Sequence, residues 1–251
     1  MRTNSAETGP ALKMEKVRKT YGEKTALEGL SLEVGRGEIF GLIGENGAGK
    51  TTAIECALGT RKADSGSSAI LGMDPVSERK RVFQRVGVQF QETRFQDRIT
   101  LREACETAAA LYRHTRDWKP LVDGFGLAGK EKQTVGALSG GERQKLAVVL
   151  ALIPDPELVF LDELTTGLDP SSRRDVWEFL KDLRDRGTAI VLTSHFMDEV
   201  EYLCDRVAIL KKGVVVREGR PSDLMQKEGP HIGSLEELFL ACAVTGKGES
   251  A

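Results

Sequence analysis

The sequence predicts an α/β fold in which a parallel sheet is wrapped by helices and flanked by a small antiparallel sheet. Three observations carry that expectation. A glycine-rich loop at 44–51 stands between an apolar strand-like run at 38–43 and a helix-like stretch at 52–58. A continuous apolar run at 158–161 ends in Asp162-Glu163, the pattern of a strand buried on both faces with acid at its carboxyl end. Beyond it, helical and strand-like runs alternate at 171–186, 188–193, 197–203 and 207–210.

The first loop is Gly44-Glu45-Asn46-Gly47-Ala48-Gly49-Lys50-Thr51 and fits G-x-x-x-x-G-K-[ST]. Glycines let the chain curl and aim its N–H groups at one point, and the start of a helix adds its positive end there. Such a loop cradles phosphates, with Lys50 reaching the outer phosphates and the Thr51 hydroxyl placed for Mg²⁺. A glycine-rich turn that binds nothing is the plainer alternative; the strand before it and the helix after it weigh against that.

Composition sets the limits. The chain has 251 residues, enough for one large domain or two small ones. Its 36 Lys and Arg against 38 Asp and Glu leave a net charge of −2, so there is no bulk attraction to nucleic acid or anionic lipid. Cys56, Cys105, Cys204 and Cys242 are far apart and show no ligand spacing, which predicts reduced thiols. The polar stretch 1–10 reads as a disordered tail, and 246–251 as a loose one. No run is long enough to cross a membrane: the longest, at 146–153, is stopped by Pro154.

In chain order, strands are expected at 12–21, 26–34 and 67–71, the second from strict alternation of Leu30, Leu32 and Val34. A helix at 77–84 and a strand at 86–90 come next. Thr100 with Glu103 forms a capping box, and Leu101, Ala104, Cys105, Ala108, Leu111 and Tyr112 then make one apolar helix face. Further helices are expected at 117–124 and from Ser139 to Leu152. Lys212-Gly213 turns the chain into a last strand at 214–217.

Leu138-Ser139-Gly140-Gly141-Glu142 is the second informative segment. A serine and two glycines at a helix head make another anion cradle, although in isolation ordinary N-capping by Ser139 is the better explanation. Asp162 suits Mg²⁺, and Glu163 suits the orientation or deprotonation of an attacking water.

Together these motifs resemble the nucleotide-binding subunit of an ABC transporter, over nearly the whole chain from about residue 12 to about residue 240. Residues 44–52 match the family's Walker A, 138–142 its signature, and 158–163 its Walker B with the catalytic glutamate. Gly167-Leu168-Asp169 resembles the D-loop, and His195 in Thr193-Ser194-His195 the switch histidine. Gln91 resembles the glutamine of the Q-loop, with Gln89 as the rival. Tyr21 resembles the aromatic that stacks on adenine, the alternative being a packing tyrosine. The resemblance implies a P-loop NTPase with a RecA-like parallel core, an antiparallel β subdomain and an inserted helical subdomain at about 92–155, all in one domain spanning 11–245.

It further implies ATP and Mg²⁺ as ligands. Tyr21, residues Gly44 to Thr52, Ser139, Gly140 and Gly141 would bind nucleotide. Thr51, Gln91 and Asp162 would hold the metal, and Glu163, His195 and Gln91 would serve catalysis. The implied machine is a homodimer that sandwiches two ATPs and docks on a separate membrane permease from the cytoplasmic side, with no nucleic acid involved. The segment 234–240 and the residues around His195 resemble the drug-resistance exporter group, which implies export of a drug-like or lipid-like compound. One departure stands out: Leu164 replaces the family's proline after the glutamate, which predicts a looser turn. The alternatives are an ABC-type ATPase of DNA repair or chromosome maintenance, and one of translation. The first carries a long coiled coil between the motifs, and 52–138 shows no sustained heptads. The second carries two cassettes, and this chain has one P-loop.

Overall fold

Every residue of β3 (Ile39–Gly44) is buried, and so is every residue of β6 (Leu158–Asp162) and β7 (Ala189–Thr193). These are interior strands of a six-stranded sheet of order β5-β6-β7-β3-β8-β9, where β5 is Val86–Gln89, β8 Arg206–Lys211 and β9 Val214–Gly219. All neighbours pair in parallel except β8 and β9, which form an antiparallel hairpin through Lys212-Gly213. A computed structural model describes residues 9–91, 93, 95–96, 98–227 and 233–244. The tails expected at 1–10 and 246–251 therefore lie outside the described residues, apart from Gly9 and Pro10.

A second sheet, of order β2-β1-β4, is antiparallel throughout: β1 (Leu12–Tyr21) pairs with β2 (Lys24–Val34) and with β4 (Ser65–Ile70). Between the two sheets runs α1 (Lys50–Ala57), which buries Ala53, Ile54, Cys56 and Ala57.

The pleat of the main sheet divides the interior in two, because successive side chains point to opposite faces. Phe40, Leu42, Leu158, Phe160 and Val191 pack with α1 and the antiparallel sheet. Ile39, Ile43, Val159, Leu161, Ile190 and Leu192 pack with the helices of the other face. Apolar runs without alternation are what a strand covered on both sides requires.

The helices of that second face begin where their caps dictate. α3 (Leu101–Ala110) starts behind Thr100 with the full capping box to Glu103. Asp117 caps α4 (Trp118–Gly124), and Ser139 caps α5 (Gly140–Leu152), again with a full box to Glu142. Asp169 caps α6 (Pro170–Asp185), whose Pro170 needs no N–H donor in the first turn. α7 (Met197–Leu203) follows β7, and α8 (Pro221–Lys227) and α9 (Leu235–Val244) close the chain.

Two sequence expectations shift, and one helix was not foreseen. The helix expected at 77–84 shrinks to α2 (Arg79–Val82). α3 stops at Ala110, so Leu111 leaves the expected apolar face and stands 71% exposed. α8 has no counterpart in the sequence reading; its apolar residues are too few for a clear period.

α5 lies directly on β5. A Cβ on Gly87 would stand 2.0 Å from the Ala151 carbonyl oxygen. Gly87→Ala should therefore push helix and strand apart and cost about 1–3 kcal/mol, read as a lowered denaturant midpoint at unchanged m-value.

Candidate nucleotide site

Because β3, β5, β6 and β7 run parallel, their carboxyl ends share one edge of the sheet, where ligands of open α/β sheets bind. The residues that follow each strand meet there: the 44–51 loop after β3, Gln91 beyond β5, Glu163 after β6, and Ser194-His195 after β7. A cavity of about 580 Å³ opens on this edge, lined by Tyr21, Asn46, Gly47, Gly49, Lys50, Thr51, Thr52, Gln91 and Glu163 from the expected set.

The loop is shaped for anions. Gly49, the N-cap of α1, sits at φ 112°, a conformation that suits only glycine, and a Cβ there would also meet the Ala26 carbonyl at 2.5 Å. Lys50 is buried and its Nζ donates to the Gly44 carbonyl at 2.8 Å and the Glu45 carbonyl at 3.2 Å. Burial lowers its pKa, while the Glu163 and Asp162 carboxylates pull the other way. From behind, the loop is held by the β8–β9 hairpin, whose Gly213 N–H donates to the Ala48 carbonyl at 2.9 Å.

Asp162 is buried at the end of β6, and register sets Thr193 opposite it. The Thr193 hydroxyl donates to its Oδ1, and the Thr51 hydroxyl donates to its Oδ2 at 3.3 Å. Thr51 and Asp162 thus present only oxygen donors, the chemistry of a hard cation. A hydroxyl and one carboxylate suit Mg²⁺, which takes few ligands from protein.

Glu163 has φ 53°, a strained value for a residue with a side chain. Its N–H donates to both the carbonyl and the hydroxyl of Thr193 at 3.1 Å. Its carboxylate accepts from Gln91 Nε2 at 2.7 Å and lies 3.9 Å from His195 Nδ1. The looser turn expected at Leu164 is not what the structure holds. Leu164 is buried in the larger core, and the Gln144 amide donates to its carbonyl at 3.1 Å and to that of Glu163 at 3.4 Å. Packing and one side-chain amide fix a turn that proline would have fixed covalently.

The two glutamines separate. Gln91 borders the cavity, whereas Gln89 is buried and donates to the Phe90 and Asp162 carbonyls at 2.7 and 3.3 Å. Tyr21 borders the cavity as an exposed residue, and Lys19 and Arg61 each stand 5.6 Å from the ring centroid.

Ser139, Gly140 and Gly141 are not brought to this cavity. The Ser139 hydroxyl accepts from the Glu142 N–H as an N-cap. Gly141 stands beside the 167–169 turn, where a Cβ would be 3.2 Å from Leu168 Cδ2. Contact with Lys130 and the Ser139 N–H holds the Glu142 carboxyl down at about 2.

Sequence reasoning missed Lys24 and Ala26, which line the cavity, and Thr193 and Gln144, which orient the acids. Only Thr193 left a trace, as the one hydroxyl at the end of an apolar run.

An anion cradle with a buried lysine, an oxygen-only pair and an adjacent held carboxylate define a nucleoside-triphosphatase of the P-loop class. A family model described as ABC transporter matches residues 27–166. Nod factor export ATP-binding protein I of Paraburkholderia xenovorans is 40% identical over 224 residues, covering 87% of this chain and 73% of that protein. The protein of the same name in Rhizobium sp. (strain N33) is 40% identical over 236 residues, covering 91% and 76%. A solved ATP-binding subunit of an ABC transporter superimposes with a TM-score of 0.86 at 27% identity, over 93% of this chain and 99% of that one. A bacterial Atm1-family ABC exporter shares the fold, with a TM-score of 0.81 at 20% identity over 95% of this chain and 43% of that one. The chain belongs to the ABC transporter family, as an ATP-binding and ATP-hydrolysing subunit that powers transport. Relatives named as export ATP-binding proteins set aside the DNA-repair alternative.

Lys50→Ala should raise the dissociation constant for ATP about 10- to 150-fold, the loss of a charged hydrogen-bond donor, measured by titration with a fluorescent nucleotide. Glu163→Gln should leave binding intact and cut turnover about 10²–10⁴-fold, the usual contribution of a general base, measured as phosphate release.

Proposed function

We propose that the protein acts as a pair of identical subunits closed by two shared ATPs, driving a separate integral membrane permease that exports a drug-like or lipid-like compound. One observation supports the pairing above all: Ser139, Gly140 and Gly141 do not line the cavity that Lys50 and Thr51 border. Each half is incomplete alone. A second copy, turned head to tail, would bring Ser139, Gly140 and Gly141 to the γ-phosphate held by Lys50 and Thr51.

Within each site the residues divide the work. Gly44 to Thr52 wrap the phosphates, and Tyr21 stacks on the adenine. Thr51, Asp162 and Gln91 would hold Mg²⁺, which would supply neutralising charge to the phosphates. Glu163 takes a proton from water as that water attacks the γ-phosphorus and ADP leaves. Gln91 and His195 sense the γ-phosphate from either side of Glu163. Loss of that group removes the bridge between the subunits, and the pair opens.

Export is supported by the relatives named above; the closing helix α9 buries Leu235 and Leu238 and packs Phe239 on the larger core, as a helix that covers the core does. Among the described residues no helix is long and apolar enough to span a membrane, so the reading places the chain peripherally on the cytoplasmic face, beside its permease. The helical segment, taken as a subdomain at about 92–155, supplies the docking surface. Exposed Leu111 at the end of α3 is its most apolar free point, next to a basic groove that includes Arg79, Lys80, Arg113 and His114.

With hydrolysis slowed by Glu163→Gln, ATP should double the mass measured by light scattering, and ADP should not. A monomer in saturating ATP would overturn the pairing. Detergent extraction from native membranes should bring down one permease with the chain, and Leu111→Glu should weaken that association.

A further inference from the structure

His195 does not stand alone at the γ-phosphate edge. Its imidazole lies against Phe196, with centroids 4.1 Å apart and planes tilted by 37°. The Arg173 guanidinium covers the Phe196 ring at 4.1 Å from the centroid. Arg173 belongs to the first turn of α6, and its N–H donates to the carbonyl of Asp169 at 2.9 Å. The 167–169 turn and the histidine after β7 are therefore joined by one stack: helix, guanidinium, phenyl ring, imidazole.

Two details show that the stack holds Arg173 in place. Its Nε is buried and has no hydrogen-bond partner, so part of the guanidinium has given up water for a ring face. The nearest carboxylate, Asp198, is 3.6 Å away and mostly exposed, a geometry that adds little. A second clasp between the same helices keeps them in register: Trp177 on α6 donates its indole N–H to buried Glu199 on α7 at 2.9 Å. The backbone at Phe196 is pinned as well, its N–H donating to the buried Ser194 hydroxyl at 3.0 Å.

We propose that Arg173 is a positioning residue for His195: through Phe196 it makes the placement of the imidazole beside Glu163 depend on the helix that leaves the 167–169 turn. The idea rests on His195 acting at the γ-phosphate, as proposed above. In the paired state that turn would lie near the second subunit, so its position would reach the histidine through this stack.

The test is steady-state ATP hydrolysis by the full chain. Arg173→Met keeps the stem and removes the cation; Phe196→Leu keeps bulk and removes the ring. Each should lower kcat about 3- to 30-fold, the range of a desolvated cation–π contact, with KM for ATP changed less than about twofold. Phe196→Tyr should stay close to the parent rate, and Asp198→Asn should be silent. Arg173→Met combined with His195→Ala should be no slower than His195→Ala alone, a non-additivity that a general loss of structure would not give.

An unchanged kcat in Arg173→Met while His195→Ala is impaired would overturn the positioning role and leave the histidine's role standing. Full additivity in the double variant would overturn it too, as would a loss in Asp198→Asn equal to that in Arg173→Met. A parental rate in His195→Ala would sink the γ-phosphate role and the positioning role with it. Should Arg173→Met fail to fold, the Phe196→Leu and Phe196→Tyr pair decides the matter by the same kcat criterion.

Discussion

The ammonium of Lys50 is the constraint from which the rest of the site follows. A charge withdrawn from water must be compensated nearby, or the group gives up its proton. Two carbonyls of its own loop supply part of that compensation, and Asp162 and Glu163 supply more at longer range. What remains is made up by a ligand with negative oxygens. The cavity is electrostatically unfinished in a way that ADP or ATP completes, and the parallel sheet is the frame that keeps both acids and the cation at one edge.

That frame is rigid because both faces of the sheet are covered. Alternate residues of β3, β6 and β7 feed two separate cores, one under the antiparallel sheet and one under the helices. Strand ends set in such a frame cannot drift, so Glu163 can be kept at φ 53°, a strained conformation costing of the order of 1–3 kcal/mol. Thr193 holds its N–H, and Gln144 holds its carbonyl.

Much of this was legible in the sequence, for reasons that differ by residue. The loop at 44–51 and the pair Asp162-Glu163 use residue types that few other structures need at those spacings. Thr100 announced its helix because a capping box is written within four consecutive residues, and Ser139 did so as an N-cap. Leu111 misled because periodicity continues on paper after the helix has ended. Thr193 and Gln144 were hidden for a deeper reason. A threonine at the end of a β-branched run looks like strand propensity, and a glutamine inside a helix looks like filler. Each gains its role from a partner some 20–30 residues away in sequence, through strand register or helix docking.

Gln144 carries a final implication. It sits one turn along the helix headed by Ser139, and its amide grips the Glu163 and Leu164 carbonyls of its own chain. In the proposed pair the head of that helix belongs to the opposite nucleotide. A rigid rod would then run from one fuel chamber to the blade of the other, so that a stroke on one side pulls on its counterpart.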